Sequence, residues 1–164
     1  MIVLHLRNRR GARPIDVRLL RRIVQTLLRE AGVTQAVDLG IYLVGIPEIT
    51  RLNEVHLHHA GPTDVITFDH AEGGRWPGLH GEVFVCVEEA VRQARRYRTS
   101  WQAETVRYVV HGLLHLLGYD DQQTTQRRRM RRAENRFVRT LAHQFAFSEL
   151  GRRRSPVRGS MVRR

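Results

Sequence analysis

The sequence has no lysine, a single cysteine and no apolar run long enough to span a bilayer. Lone Cys86 excludes an internal disulfide, and its place in an apolar run reads as a small buried hydrophobe. A secretory leader is not expected either. The apolar opening, residues 1–6, is short, and Arg7, Arg9 and Arg10 follow it, whereas a leader carries its charge first. The expected compartment is therefore the cytoplasm, with no membrane as partner. Aromatic residues are scarce at 7%, which leaves few platforms on which bases could stack. Neither an internal repeat nor a linker between domains is visible. The 164 residues suit one domain with a real core, and an apolar share of 41% speaks against disorder throughout.

What is present in excess is arginine. It supplies all 28 basic residues, against 16 acidic ones, for a formal net charge of +12. A solvated basic surface or an arginine-rich codon bias would produce this too. However, the guanidinium is a planar fork that bonds phosphate in bidentate fashion, and an excess of this size points to nucleic acid before membrane.

Periodicity gives four strands and five helices. Residues 2–7 read as a strand. Pro14 is expected to open a helix through Val17, Leu20, Val24, Leu27 and Ala31, stopped by Gly32. Leu39, Ile41 and Leu43 share one face of a second strand over residues 38–44. A short helix starts at Pro47, and a polar loop covers residues 56–62. Residues 63–68 form a third strand and residues 71–80 a glycine- and proline-rich loop. Residues 81–87 form a strand apolar on both faces, so central or well covered. Helices are expected over residues 88–98, from a Thr99/Gln102 capping box to Leu117, and over residues 125–147. The last of these has Met130, Ala133, Phe137, Leu141 and Phe145 as its buried stripe. The expectation is an α+β fold, an α/β sandwich: one four-stranded mixed sheet packed by about five helices. Residues 1–149 form a single domain in this reading, and residues 150–164 a basic, disordered tail. Strand order is not given by these patterns.

The sharpest motif is His111-Gly-Leu-Leu-His115-Leu-Leu-Gly118-Tyr119-Asp120-Asp121. Histidines at i and i+4 share a helix face with Cβ atoms roughly 5–6 Å apart. Both rings can then reach one ion at about 2.0–2.1 Å per Zn–N bond. Polar rings on so apolar a helix need partners, and a shared metal supplies one. Gly118 lets the chain fold back, so that Asp120 or Asp121 can complete the site. The pair is similar to a zincin helix, but position 112 is glycine. Zinc peptidases of that type need a glutamate there as general base, which argues against peptidase chemistry.

The stretch from position 110 to 121 resembles the signature of the YbeY family, metal-dependent endoribonucleases of ribosomal RNA maturation. That signature reads His-Gly-x-Leu-His-Leu-Leu-Gly-Tyr-Asp-His, and this sequence departs from it only at Asp121. Leu52-Asn53 followed by Pro62-Thr63-Asp64-Val65 resembles a second family block, Gly81-Glu82-Val83 a strand, and Met130 with Glu134 the closing helix. The resemblance covers residues 1 to 147. It implies that His111, His115 and Asp121 hold one Zn²⁺ or another divalent transition metal, with aspartate replacing the family's third histidine. It further implies a substrate in single-stranded RNA, action at the 3′ end of 16S rRNA, and the small ribosomal subunit as partner. The family's Tyr-Arg pair, whose arginine is thought to serve catalysis, falls on His56 and Leu57, so that cation is missing. His58, His59 and Arg75 are nearby replacements to consider.

Asp120 is a candidate for orienting the attacking water, with a structural role as its alternative. An RNA surface is expected on the last helix, at Arg128, Arg132, Arg136 and Arg139, opposite the apolar stripe, with Arg127, Arg129 and Arg131 widening it. The tail adds Arg152, Arg153, Arg154, Arg158, Arg163 and Arg164. Tyr119 and Trp76 are the aromatics available for stacking. Two other readings remain open at this level: a non-catalytic ribosome-assembly factor that keeps a structural metal, and a metal-dependent hydrolase of another substrate.

Overall fold

A computed structural model describes residues 1–74 and 76–152. The elements run β1 (Ile2–Asn8), α1 (Val17–Glu30), β2 (Val37–Val44), α2 (Ile46–Leu57), β3 (Val65–Asp69) and β4 (Leu79–Cys86). Three helices follow, α3 (Val87–Tyr97), α4 (Trp101–Leu116) and α5 (Thr124–Gln144), and then a 3-10 turn at Phe147–Gly151. The four strands form one mixed sheet in the order β1-β2-β4-β3. β1, β2 and β4 are mutually parallel, and β3 closes the edge antiparallel to β4. The expected α+β architecture, with four strands and five helices, is the one observed.

The two faces of the sheet are covered unequally. Leu39, Ile41 and Leu43 of β2 and Val83 and Val85 of β4 are fully buried in the main core, beneath α1, α4 and α5. On the reverse face α2 lays Ile49 and Leu52 over Val44, Ile66, Phe84 and Cys86, a smaller cluster. β4 is thus interior, and its second half, residues 83–86, is buried on both faces, while the expected apolar character fails at Glu82, which is partly exposed and paired with His70. Cys86 has no exposed surface, and burial pushes its thiol pKa up, so it is an inert core residue.

Local signals moved several boundaries. Pro14 does not open α1. Asp16 caps it instead, its Oδ1 accepting from the N–H groups of Arg18 and Leu19 at 3.0 and 3.1 Å. At α4 the cap is Ser100, whose Oγ accepts from Ala103 N–H at 3.1 Å, while Thr99 donates to the Glu104 carboxylate. Val87 begins α3 rather than ending β4, and β4 starts at Leu79. α5 stops at Gln144, short of Phe147. Leu150 in the following turn is fully buried, and its carbonyl accepts from Asp16 N–H, so the packed structure runs through it. The tail arginines from Arg153 onward, and Arg75, lie outside the described residues.

Gly112 sets how closely α4 sits on the sheet. A Cβ there would lie 2.6 Å from Val83 Cγ1 and 3.1 Å from Thr67 Oγ1. Position 112 therefore faces the strands, while His111 and His115 flank the contact. A glutamate there would point into the sheet, so the fold itself excludes the peptidase's general base at this position.

Candidate metal centre

α4 ends on Gly118, whose φ of +95° is the left-handed turn that glycine adopts without strain. The chain doubles back and brings Asp121 over the end of the helix. Asp121 Oδ2 then lies 3.8 Å from His111 Nε2 and 3.6 Å from His115 Nε2, and the two Nε2 atoms are 3.1 Å apart. Two ligands of a tetrahedral zinc, at about 2.05 Å each, stand about 3.3 Å apart, so the three atoms sit close to the spacing that such an ion requires. Among the described residues these three form the one group of histidine, cysteine or acidic side chains close enough to hold an ion.

The outer ring nitrogens show why the inner ones converge. The Tyr119 carbonyl can only accept, so His115 Nδ1–H donates to it, at 3.1 Å. His111 Nδ1 lies 2.9 Å from Glu134 Oε2. Burial alone would raise the Glu134 pKa, but bonds from His111 and Arg107 outweigh it and the pKa is lowered, so Glu134 is the acceptor. Both rings thus keep their Nε2 lone pairs toward one point, an arrangement that is repulsive unless a cation or proton lies between them. Burial also opposes charge on His111. The bond to Glu134 and the charges of Glu134, Asp121 and Asp64 overcome this, and the ring's pKa is raised. The donor set and its orientation fit a divalent ion.

Arg107 extends the chain of contacts. Its NH1 donates to Glu134 Oε1 and to Asn135 Oδ1, each at 2.8 Å. Neither Arg107 nor the role of Glu134 was read from the sequence motif. Arg107 stands one turn before His111 on the same helix, a signal available in the spacing. Glu134 is 23 residues from its partner and leaves no local pattern.

The other candidates are dispersed. Asp120 turns away from the histidines: its Oδ1 accepts from Gln122 N–H at 3.1 Å, and it lines a neighbouring cavity of about 360 Å³ with Tyr119 and Arg129. The Arg129 guanidinium lies over the Tyr119 ring, 5.8 Å from its centre. Trp76, in the β3–β4 loop, packs on His80 of β4. Leu57 is partly exposed at the end of α2, His56 meets the ring of Phe68, and His58 takes the left-handed cap of that helix. Arg128, Arg132, Arg136 and Arg139 are exposed on α5, outside its buried stripe of Met130, Ala133, Phe137 and Leu141, and the Arg136 guanidinium lies over the Phe137 ring, 4.9 Å from its centre. Arg127 and Arg131 instead line a cavity of about 260 Å³ together with His111, Asp121, Met130 and Glu134.

Fold and site together define a small α+β protein whose sheet-seated helix carries two histidines closed by a carboxylate from the following turn. The model for Endoribonuclease YbeY matches residues 6–142. Proteins named Endoribonuclease YbeY include one from Chlorobium luteolum, 34% identical over 79% of this chain and 91% of its own. The Salinibacter ruber protein is 35% identical over 79% and 86%, and that of Syntrophotalea carbinolica is 33% identical over 88% and 99%. The solution structure of TM1509 from Thermotoga maritima superposes with a TM-score of 0.62 at 26% identity, covering 88% of this chain and 91% of that one. The chain belongs to the Endoribonuclease YbeY family.

Proposed function

We propose that this protein is a metal-dependent endoribonuclease that cuts single-stranded RNA in rRNA processing, at the 3′ end of 16S rRNA, with the small ribosomal subunit as its cytoplasmic partner. The observation that carries the reading is the convergence of His111 Nε2, His115 Nε2 and Asp121 Oδ2, with both outer ring nitrogens already satisfied. These three side chains would hold one Zn²⁺. Bound there, the ion would supply Lewis-acid stabilisation of a phosphoryl oxygen and lower the pKa of a water. No helix among the described residues is long and apolar enough to cross a membrane.

The chain's own residues do the positioning. Glu134 holds His111 in one tautomer, and Arg107 holds Glu134. The Tyr119 carbonyl does the same for His115. The three ligand side chains are between 29% and 44% exposed, which leaves room for a phosphodiester and water on the open side. Arg128, Arg132, Arg136 and Arg139 would track the RNA backbone further out. Asp120, engaged by Gln122 N–H, serves the turn that delivers Asp121.

A second reading has one observation in its favour. Leu57 places an exposed apolar side chain where the family resemblance expects an arginine, and this suits an assembly factor that binds RNA and keeps its metal for structure. Single-turnover cutting of a labelled single-stranded RNA, with and without chelator, separates the two. The expected result is slow chelator-sensitive cutting by wild type, none by His111→Ala, and faster cutting by Leu57→Arg. No cutting by any of the three would favour the assembly factor. Cutting of casein instead would favour a different hydrolase.

A further inference from the structure

The cavity beside the histidines has a composition that the ligand set alone does not explain. Its walls are His111 and Asp121 from the metal centre and Arg127, Met130, Arg131 and Glu134 from α5. The four α5 residues stand at i, i+3, i+4 and i+7, so one stripe of that helix looks into the site. This stripe is not the one formed by Arg128, Arg132, Arg136 and Arg139, which points away.

The two arginines differ in what they already do. Arg127 is committed: its Nε donates to the Asp121 carbonyl at 3.0 Å, and its NH2 lies 3.5 Å from the Gln122 carbonyl. It pins the turn that carries the third ligand, and so is a positioning residue. Arg131, one turn further along, is exposed and has no hydrogen-bond or ion-pair partner among the described residues. The acids around it are not free to neutralise it. Glu134 has Oε2 against His111 and Oε1 against Arg107. Asp121 faces the two imidazoles. An unpaired guanidinium is thus left on the wall of a cavity large enough for a phosphate group, next to the three convergent ligand atoms.

We propose that Arg131 is a phosphate clamp: its fork binds the non-bridging oxygens of the RNA phosphodiester that lies in this cavity. The proposal rests on the RNA-cleaving reading above and deepens it. Arg131 orients the phosphodiester against the metal centre from the α5 side and supplies the cation that Leu57 does not. A bidentate fork suits this task better than a point charge, because it fixes the phosphate's rotation as well as its place.

The test measures binding, not cutting. The full chain, with chelator present so that no RNA is cut, is titrated against a fluorescent oligouridine over a series of salt concentrations. Loss of one phosphate contact should lower the log–log salt slope by about 0.7, which is about fivefold in affinity at 0.1 M salt. Arg131→Gln should show this loss with its zinc affinity unchanged. Arg131→Lys should keep the slope and recover only part of the affinity. Arg18→Gln, the same charge change on exposed α1, should leave both unchanged. Equal behaviour of Arg131→Gln and Arg18→Gln would overturn the clamp while leaving the RNA reading intact. So would a matching loss of zinc by Arg131→Gln, which would mark the residue as support for the ligands. Failure of wild type to bind the oligouridine at all would overturn both.

Discussion

Gly112→Ala adds one methyl group between the two histidines, and the structure gives the size of the collision. Ordinary contact begins at about 3.4 Å, and the new Cβ would stand 2.6 Å from Val83 Cγ1, an overlap of roughly 0.8 Å. Val83 has no exposed surface and a β-branched side chain held to few rotamers, so it cannot swing aside. The helix must lift from the sheet. Overpacking of this kind costs about 1–3 kcal/mol, and alanine returns about 1 kcal/mol through its better helix propensity. The net expectation is a loss of about 1 kcal/mol, or about 3 °C in Tm for a chain of this size. Lifting α4 also moves His111 and His115 against Asp121, which comes from the turn beyond. Zinc affinity should fall with stability, whereas an exposed destabilising change elsewhere would leave it alone. The assay is thermal unfolding of the metal-free protein, paired with a zinc competition titration against a chromophoric chelator. A variant as stable as wild type or more so, with unchanged zinc affinity, would refute the close approach of α4 to β4.

The protein should bind about one zinc per chain, and His115→Ala should abolish this in elemental analysis. Asp121→Asn should weaken zinc binding strongly and Asp120→Asn hardly at all; the reverse pattern would mean that the wrong acid has been assigned. Glu134→Gln leaves all three ligands in place but loosens His111, and should cost about 10–100-fold in zinc affinity. The Glu134 carboxyl also gives the metal-free protein an acid limb. Burial would raise its pKa, but His111 and Arg107 hold it below the ordinary 4.5. Its contribution is then complete above about 4.5 and is lost as pH falls through the lowered value. Melting curves from neutral to acidic pH should therefore converge for wild type and Glu134→Gln at the acidic end.

The elements that were legible in the sequence are those whose periodicity is local. Leu39, Ile41 and Leu43 alternate, and the strand they predict packs them into one core face. His111 and His115 stand a turn apart, and the helix they predict brings their Nε2 atoms to 3.1 Å. Helix starts were less legible because competing signals lie side by side: Pro14 against Asp16, Thr99 against Ser100. The hydrogen bonds select the second of each pair, because only those side chains reach free N–H groups of the first turn. Strand order depends on pairings such as Leu39 with Gly81, which no local pattern encodes. Gly112 is the instructive case. In the sequence it is only the missing base of a peptidase; in the fold it is the contact that lets α4 lie against β4. The supporting carboxylate was hidden for the same reason as the strand order, since Glu134 meets His111 from another helix.

The three side chains proposed to hold the ion lie between positions 111 and 121, a single short stretch of chain. On that assignment an ion would be grasped by a nascent helix and the turn after it, without the long crossovers that pair β1 with β2 and β2 with β4. The unfolded polypeptide would retain part of its hold on zinc, so saturating metal should raise the melting temperature less than the native affinity alone implies. What the completed fold adds is the Glu134 and Arg107 brace on His111, and on the proposed assignment that brace would separate a segment that captures zinc from a site that keeps it.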